Sequence, residues 1–350
     1  MKKREANFEL LRIIAMLMII TLHYLDKGGI LPEPVESFTA AGLTAWGLEA
    51  LCVPAVNLYV LLSAYFLAEQ EYRPGRVCRL WGTVLFYSLG LFFAAVLTGI
   101  VPVNTLDIYQ AMNYCFPVIE EHYWFVTAYL LMYLFAPLMN QGLKQLSVKT
   151  YRQALFLLLL VLSVSASLLP VQLPTDRMGY DALWFLCLYL IGAYLRYHGC
   201  GLLSKGLCLA GYAVSCILIF SSLLFVHFMY DKTGRFAEFI NRQYHYNSIL
   251  CVSAAVFLLL FFQKLHIGGQ RASAVICRVA STSFGVYLLH EHLTLRYLWP
   301  QLLGTERFAD TLLFLPHWIV SILLVYTVGM LVDFGRQYLF RGKWFHDKKE

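Results

Sequence analysis

The chain has 350 residues, of which 59% are hydrophobic and only 14% charged, with a formal net charge of +6. A soluble domain carries about 25% charged residues, so this composition excludes an ordinary soluble globule and points to the membrane. The modest positive excess is accounted for by cytoplasmic anchoring and calls for no nucleic-acid partner.

The first apolar run, FELLRIIAMLMIITLHYL, follows a basic flank. No small-residue cleavage site comes after it, so it reads as a retained first helix over 8–26. It contains Arg12 and His23, eleven positions apart. Eleven helical steps end about 20° past three full turns, so the two share one face, ~16 Å apart along the axis. A cation and an imidazole are costly in lipid and mark a site facing the protein interior. An imidazole that titrates near pH 6.5 suits a general base acting on a hydroxyl. The plainer alternatives are a packing histidine bonded to a carbonyl and an arginine snorkelling to the phosphates.

The second segment, 44–68, carries Asn57, Tyr59 and Ser63 in the phrase VPAVNLYVLLSAYFLAE. Ser63 and Ala64 are small and admit a neighbouring helix or a ligand. YRPGRVCRL follows, with Arg73, Arg76 and Arg79 at every third position. Pro74 suits the first position of the third helix, 80–101 with its lead-in. The arginines then line adjacent turns and suit phosphate binding, or serve as plain positive-inside anchors. The fourth segment, 123–140, opens with Glu120, Glu121 and His122 before Trp124. Those residues belong either to the interfacial belt or to a site that orients an acceptor or supplies a base. Further apolar runs cover 152–170, 182–198 and 206–230. The connection 231–246 is basic although it falls on the outer side, so it either binds an anion or signals a topological error. After 247–266 comes 282–300, where STSFGVYLLHEHLTLRYL places Tyr287, His290, Glu291, His292 and Arg296 in one span facing protein or water. The last run is 310–334.

Each run is near the ~20 residues that cross a bilayer. The expected fold is therefore an all-α polytopic membrane bundle of about ten helices, with both termini cytoplasmic. Loop charge agrees: nineteen Lys and Arg fall on the inner connections and seven on the outer ones. No internal period and no separate soluble segment appears, so residues 1–350 form one membrane domain with a basic cytoplasmic tail at 336–350. The nine cysteines are scattered, with no metal-ligand spacing, and neither a disulfide framework nor a metal is expected.

Taken in order, these phrases resemble the membrane-bound acyltransferase-3 family of bacterial surface-carbohydrate O-acetyltransferases. The family's first helix carries an Arg, ten residues and then a His, as Arg12 and His23 do here. LYVLLSAYFL resembles its FFxxSGFFL phrase, with Ala64 where Gly is common. YRPGRVCRL, HYWFVTAYLLMYLFAPLMN and SFGVYLLH complete a likeness that spans about residues 7 to 335. The resemblance implies transfer of an acyl group, usually acetyl, from cytoplasmic acyl-coenzyme A to a hydroxyl of a surface or lipid-linked carbohydrate at the plasma membrane. His23 would be the base, and Arg12 would hold the coenzyme or the developing charge. Arg73, Arg76 and Arg79, with Ser63, would bind acetyl-CoA. Glu121, His122, Trp124, Tyr287, His290 and Glu291 are candidates for holding the acceptor or supporting the base. The expected partners are acyl-CoA, the glycan acceptor, the bilayer and other glycan-assembly proteins. Two other classes compete: a carrier of a small polar solute such as serine, and a non-catalytic member of a glycan-assembly complex.

Overall fold

A computed structural model of the protein describes residues 4–340 apart from 103, 105, 106, 171, 172, 200 and 202. Residues 341–350 of the expected tail lie outside the described residues. Every regular element among the described residues is helical. In order these are α1 (Ala6–Asp26), α2 (Ala40–Cys52), α3 (Ala55–Leu67), α4 (Pro74–Leu97), α5 (Ile108–Cys115), α6 (Trp124–Leu143), α7 (Val148–Leu159) and α8 (Ser165–Leu168). The second half adds α9 (Ala182–His198), α10 (Lys205–Thr233), α11 (Ile249–Gln263), α12 (Gln270–Ala280), α13 (Ser283–His290), α14 (Leu298–Leu303), α15 (Thr305–Phe308) and α16 (Phe314–Leu339).

Local chemistry sets these boundaries. Side-chain oxygens of Thr39, Ser147, Asp181, Ser204 and Ser248 cap the amide groups that open α2, α7, α9, α10 and α11. Pro74 occupies the first turn of α4, as its sequence position leads one to expect. Pro54 has no amide hydrogen to continue a helix, and α2 gives way to α3 at that point.

Among the described residues eight segments are long and apolar enough to cross a membrane: Ala6–Asp26, Ala40–Leu67, Pro74–Leu97, Val148–Leu168, Lys205–Thr233, Ala237–Gln263, Gln270–His290 and Phe314–Leu339. The other two expected runs form α6 and α9, helices of 20 and 17 residues that are not among these eight and whose Tyr133 and Phe185 are buried in the common core. One boundary needs correction. The segment expected at 282–300 runs from Gln270 to His290, so Glu291, His292 and Arg296 lie past its end and not within a span. The apolar reading started late because α12 is polar, with Arg271 and Arg278. It ran on too far because the turn after His290 is rich in Leu.

Hydrogen bonds tie the helix ends into two layers. Asn7 donates to the Phe262 carbonyl, Asn140 to that of Leu67 and Tyr197 to that of Ala68. At the opposite end the Leu293 amide donates to His122, and Glu291 holds Lys27. Arg4 donates to the Cys277 carbonyl and Gln337 to that of Ser281, so both ends of the described chain lie at the first end. α1 runs through the middle, packed on α2, α3, α11, α12, α13 and α16. Buried Ala64 of α3 meets Gly192 of α9, where an added Cβ would lie 2.6 Å from the Ala64 methyl and 2.8 Å from the Leu61 carbonyl oxygen. The close approach that a glycine at 64 would allow is therefore provided by Gly192 on the facing helix.

Candidate active site

One cavity of about 770 Å³ runs along α1. Arg12, Met16, Ile19, His23 and Lys27 contribute to its wall at spacings of three and four, the repeat that puts residues on one helical face. The shared face expected for Arg12 and His23 is thus the lining of a single chamber. Arg4, Arg12 and Ser281 lie toward one end of it, and Lys27, Glu49 and Tyr246 toward the other.

His23 is held through one ring nitrogen. Its Nδ1 lies 3.0 Å from Nε2 of His290 and 3.2 Å from Oε2 of Glu291. Nδ1 of His290 lies 2.6 Å from the Val286 carbonyl oxygen. A carbonyl only accepts, so His290 carries its proton on Nδ1 and presents an unprotonated Nε2. His23 must then carry its proton on Nδ1, donating toward His290 and Glu291, and its Nε2 keeps a free lone pair. Glu291 also takes a hydrogen bond from Lys27, and Arg296 stands 3.6 Å from its other oxygen. Two cations thereby flank the carboxylate behind the imidazole. Lys27 has its ammonium drawn below the ordinary lysine range by burial, against the opposing pull of Glu291.

Arg12 is not a snorkelling side chain. Its guanidinium lies 2.5 Å from the buried carboxylate of Glu9, which also faces Arg4 at 3.5 Å. Tyr59 fixes the local backbone by donating to the Arg12 carbonyl at 2.8 Å. Ser63, Trp124, Tyr287 and Glu291 join Arg12 and His23 in the wall, and His290 is buried behind His23. The Tyr287 hydroxyl is buried and has no hydrogen-bond partner among the described residues.

The remaining candidates stand elsewhere. Glu121 is exposed, in a left-handed backbone conformation (φ +50°), and pairs with both guanidinium nitrogens of Arg177 at 2.9 Å. This pairing holds its carboxyl below the usual carboxylate range. His122 is buried away from the cavity, its Nε2 accepting the Leu293 amide at 3.0 Å while its carbonyl accepts Arg296 at 3.1 Å. Both residues therefore brace the turns at the Glu291 end and do not reach the chamber. Arg73, Arg76 and Arg79 are exposed on the first turns of α4, outside the cavity wall. Leu80, four residues after Arg76 and so on the same helical side, does line the chamber, which sets the patch beside its Arg4 end.

In the 231–246 connection the arginine at 242 is used internally. Buried Arg242 donates to the Leu169 carbonyl just beyond α8 and stacks 4.3 Å over Phe239. Tyr244, His245 and Tyr246 from the same stretch fold back into the cavity wall.

Sequence reasoning passed over Arg4, Glu9 and Lys27, which it counted as loop charge or did not count at all. Spacing held the signal: Glu9 precedes Arg12 by three and Lys27 follows His23 by four, which are same-face distances. Neither the curated proteins nor the solved structures contain a match to this chain. A family model described as an acyltransferase domain matches residues 5–334, nearly the whole described length. With that match, and with a continuous chamber joining the Arg and His of its first helix, the chain belongs to the acyltransferase-3 family.

Proposed function

We propose that this acyltransferase moves an acyl group, acetyl in the first instance, from acyl-coenzyme A to a hydroxyl of a cell-surface or lipid-linked carbohydrate at the plasma membrane. The observation that carries this reading is His23 in the wall of the chamber whose far end holds Arg12, with Nδ1 committed to His290 and Glu291 so that Nε2 is the nitrogen left for chemistry. The ~16 Å between them suits a donor whose anionic groups and reactive carbonyl lie far apart in one extended molecule.

Arg4 and Arg12, with Arg73, Arg76 and Arg79 outside, form a cationic approach that suits the phosphates of coenzyme A. His23 takes the proton of the acceptor hydroxyl through Nε2 as that oxygen bonds to the acyl carbon. The thioester C–S bond breaks, and His23 returns the proton to the departing thiolate. Positioned base catalysis of this kind contributes about 10²–10⁴-fold. Glu291 keeps the proton on Nδ1 and stabilises the imidazolium that forms. The orphaned Tyr287 hydroxyl, next to His290 with ring centroids 6.1 Å apart, is the donor available to the developing oxyanion. Such a donor in a water-poor site is worth several kcal/mol, roughly 3. Because His23 lies toward the end opposite Arg4, the acceptor enters from the outer side in the expected topology.

The test is transfer of label from [14C]acetyl-CoA into surface glycan by vesicles containing wild type or a stably inserted His23→Ala variant. Label that enters the glycan in wild type and vanishes in the variant supports the reading. Undiminished labelling by His23→Ala overturns it, and solute uptake without labelling favours the carrier alternative.

A further inference from the structure

The chamber continues past Glu291 and Lys27 into a part that the proton-transfer chemistry does not use. Trp46 and Glu49, three apart on α2, both line it, as residues at that spacing on one helical face must. Trp46 is only 3% exposed, yet its indole Nε1 has no hydrogen-bond partner among the described residues. Oε2 of Glu49 is buried and likewise unpartnered. Leaving such groups unpaired costs about 1–3 kcal/mol each, so a donor and an acceptor side by side in a cavity mark the place of a polar ligand.

The surrounding wall is aromatic. Tyr244 stands edge-on to Trp46 at 4.9 Å and donates to its backbone carbonyl at 3.1 Å, which fixes the indole. Trp124 is stacked with Tyr246 at 5.9 Å and an angle of 17°, and Tyr180 closes against both at 4.5 and 4.7 Å. Asp26 adds a second carboxyl group to the same wall. Lys27, the adjacent cation, is committed to Glu291.

We propose that Trp46 and Glu49 form the acceptor subsite, holding an uncharged sugar ring by a hydroxyl pair against the aromatic wall and turning away acidic sugars. The proposal rests on the acyl-transfer reading of the same cavity. A hydroxyl donates to Glu49 and its neighbour accepts from the Trp46 indole, while the C–H face of the ring lies on the aromatic side chains. A carboxylate- or phosphate-bearing sugar would bury its charge here without a cation to neutralise it, because Lys27 is committed to Glu291.

The experiment uses the full-length protein in nanodiscs with [14C]acetyl-CoA, and surface glycan separated by anion exchange into neutral and acidic fractions as acceptors. Wild type should label the neutral fraction. Glu49→Gln and Trp46→Phe, which keep volume and ring contacts, should raise the acceptor KM about tenfold or more. The KM for acetyl-CoA should stay within about twofold in both, because neither residue is near the Arg4 end. The subsite is overturned if wild type labels the acidic fraction preferentially, or if neither variant moves the acceptor KM. Absence of label from both fractions in wild type would overturn the acyl-transfer reading itself, and the subsite with it.

Discussion

Nδ1 of His23 points at Nε2 of His290 across 3.0 Å, and the proton between them belongs to His23 because His290 has spent its own on the Val286 carbonyl. The orientation of the base is therefore decided on α13, some 267 positions away in the chain. Glu291, 3.2 Å from the same Nδ1, supplies the charge that makes this tautomer worth keeping when a proton arrives on Nε2.

Glu291→Gln keeps the shape of that arrangement and removes its charge. Transfer to glycan at saturating donor should fall about 10²–10⁴-fold, while the KM for acetyl-CoA changes by less than about threefold, since the donor's anionic part is expected near Arg12. Single-turnover labelling in vesicles measures both. A Glu291→Gln variant with wild-type turnover would remove the carboxylate from the mechanism.

Salt separates the two groups of arginines. The Debye length shrinks from ~10 Å at 0.1 M to ~3 Å at 1 M, so exposed charges lose their influence long before buried ones do. Arg73, Arg76 and Arg79 are exposed, whereas Arg12 is about a quarter exposed and pinned to Glu9. The triple alanine variant of the exposed set should raise the KM for acetyl-CoA several-fold at 50 mM salt and leave it nearly unchanged at about 0.5 M. Arg12→Ala should raise it at least about tenfold at both concentrations. Equal salt sensitivity in the two variants would contradict this division.

Part of this arrangement is legible in one dimension. The Arg12–His23 face follows from helical repeat alone, and the capping residues and Pro74 announce their helix starts. The Glu291–His23–Lys27 contact is different, because it depends on α13 ending at His290 so that Glu291 turns back toward α1. The apolar count blurred that break by running on through LTLRYL. Glu121, His122 and Trp124 look like one group in sequence, yet the positive φ of Glu121 sends the three side chains to the surface, the outer core and the cavity. Trp46 and Glu49 carry no such signal. Only the fold-back of Tyr244 and Tyr246, some 200 residues later, turns an ordinary apolar helix face into a chamber wall.

The Ala64–Gly192 contact is testable as a pair. A methyl at position 192 would press on the Ala64 side chain at 2.6 Å and on the backbone of α3 at 2.8 Å. Gly192→Ala should destabilise the bundle by about 1–3 kcal/mol, seen as a lower Tm in detergent and reduced yield. Adding Ala64→Gly removes the methyl clash but not the one with the Leu61 carbonyl, so the double variant should recover part of the loss and not all of it. Full additivity in this cycle would show that the two residues do not touch.

Acid should weaken the Glu291 end of the bundle in a defined window. His122 and His292 lie beyond the membrane-crossing segments with ring centroids 5.2 Å apart, both buried. Burial, reinforced for each by the positive charge of Arg296, brings His122 down to about 3 and His292 to about 4. An unfolded histidine titrates near 6.5, so between about pH 4 and 6.5 the unfolded chain binds up to two more protons than the folded one. Stability is then full above about pH 6.5 and declines as the pH falls toward 4, by at most about 2.7 kcal/mol per pH unit. The Tm of the detergent-solubilised protein should therefore drop between pH 7 and 5. His292→Gln replaces one of the two titrating groups while keeping a donor for the Ser88 carbonyl that His292 Nε2 meets at 3.1 Å, and it should flatten that drop by about half. A drop of unchanged steepness in this variant would assign the acid sensitivity to other groups.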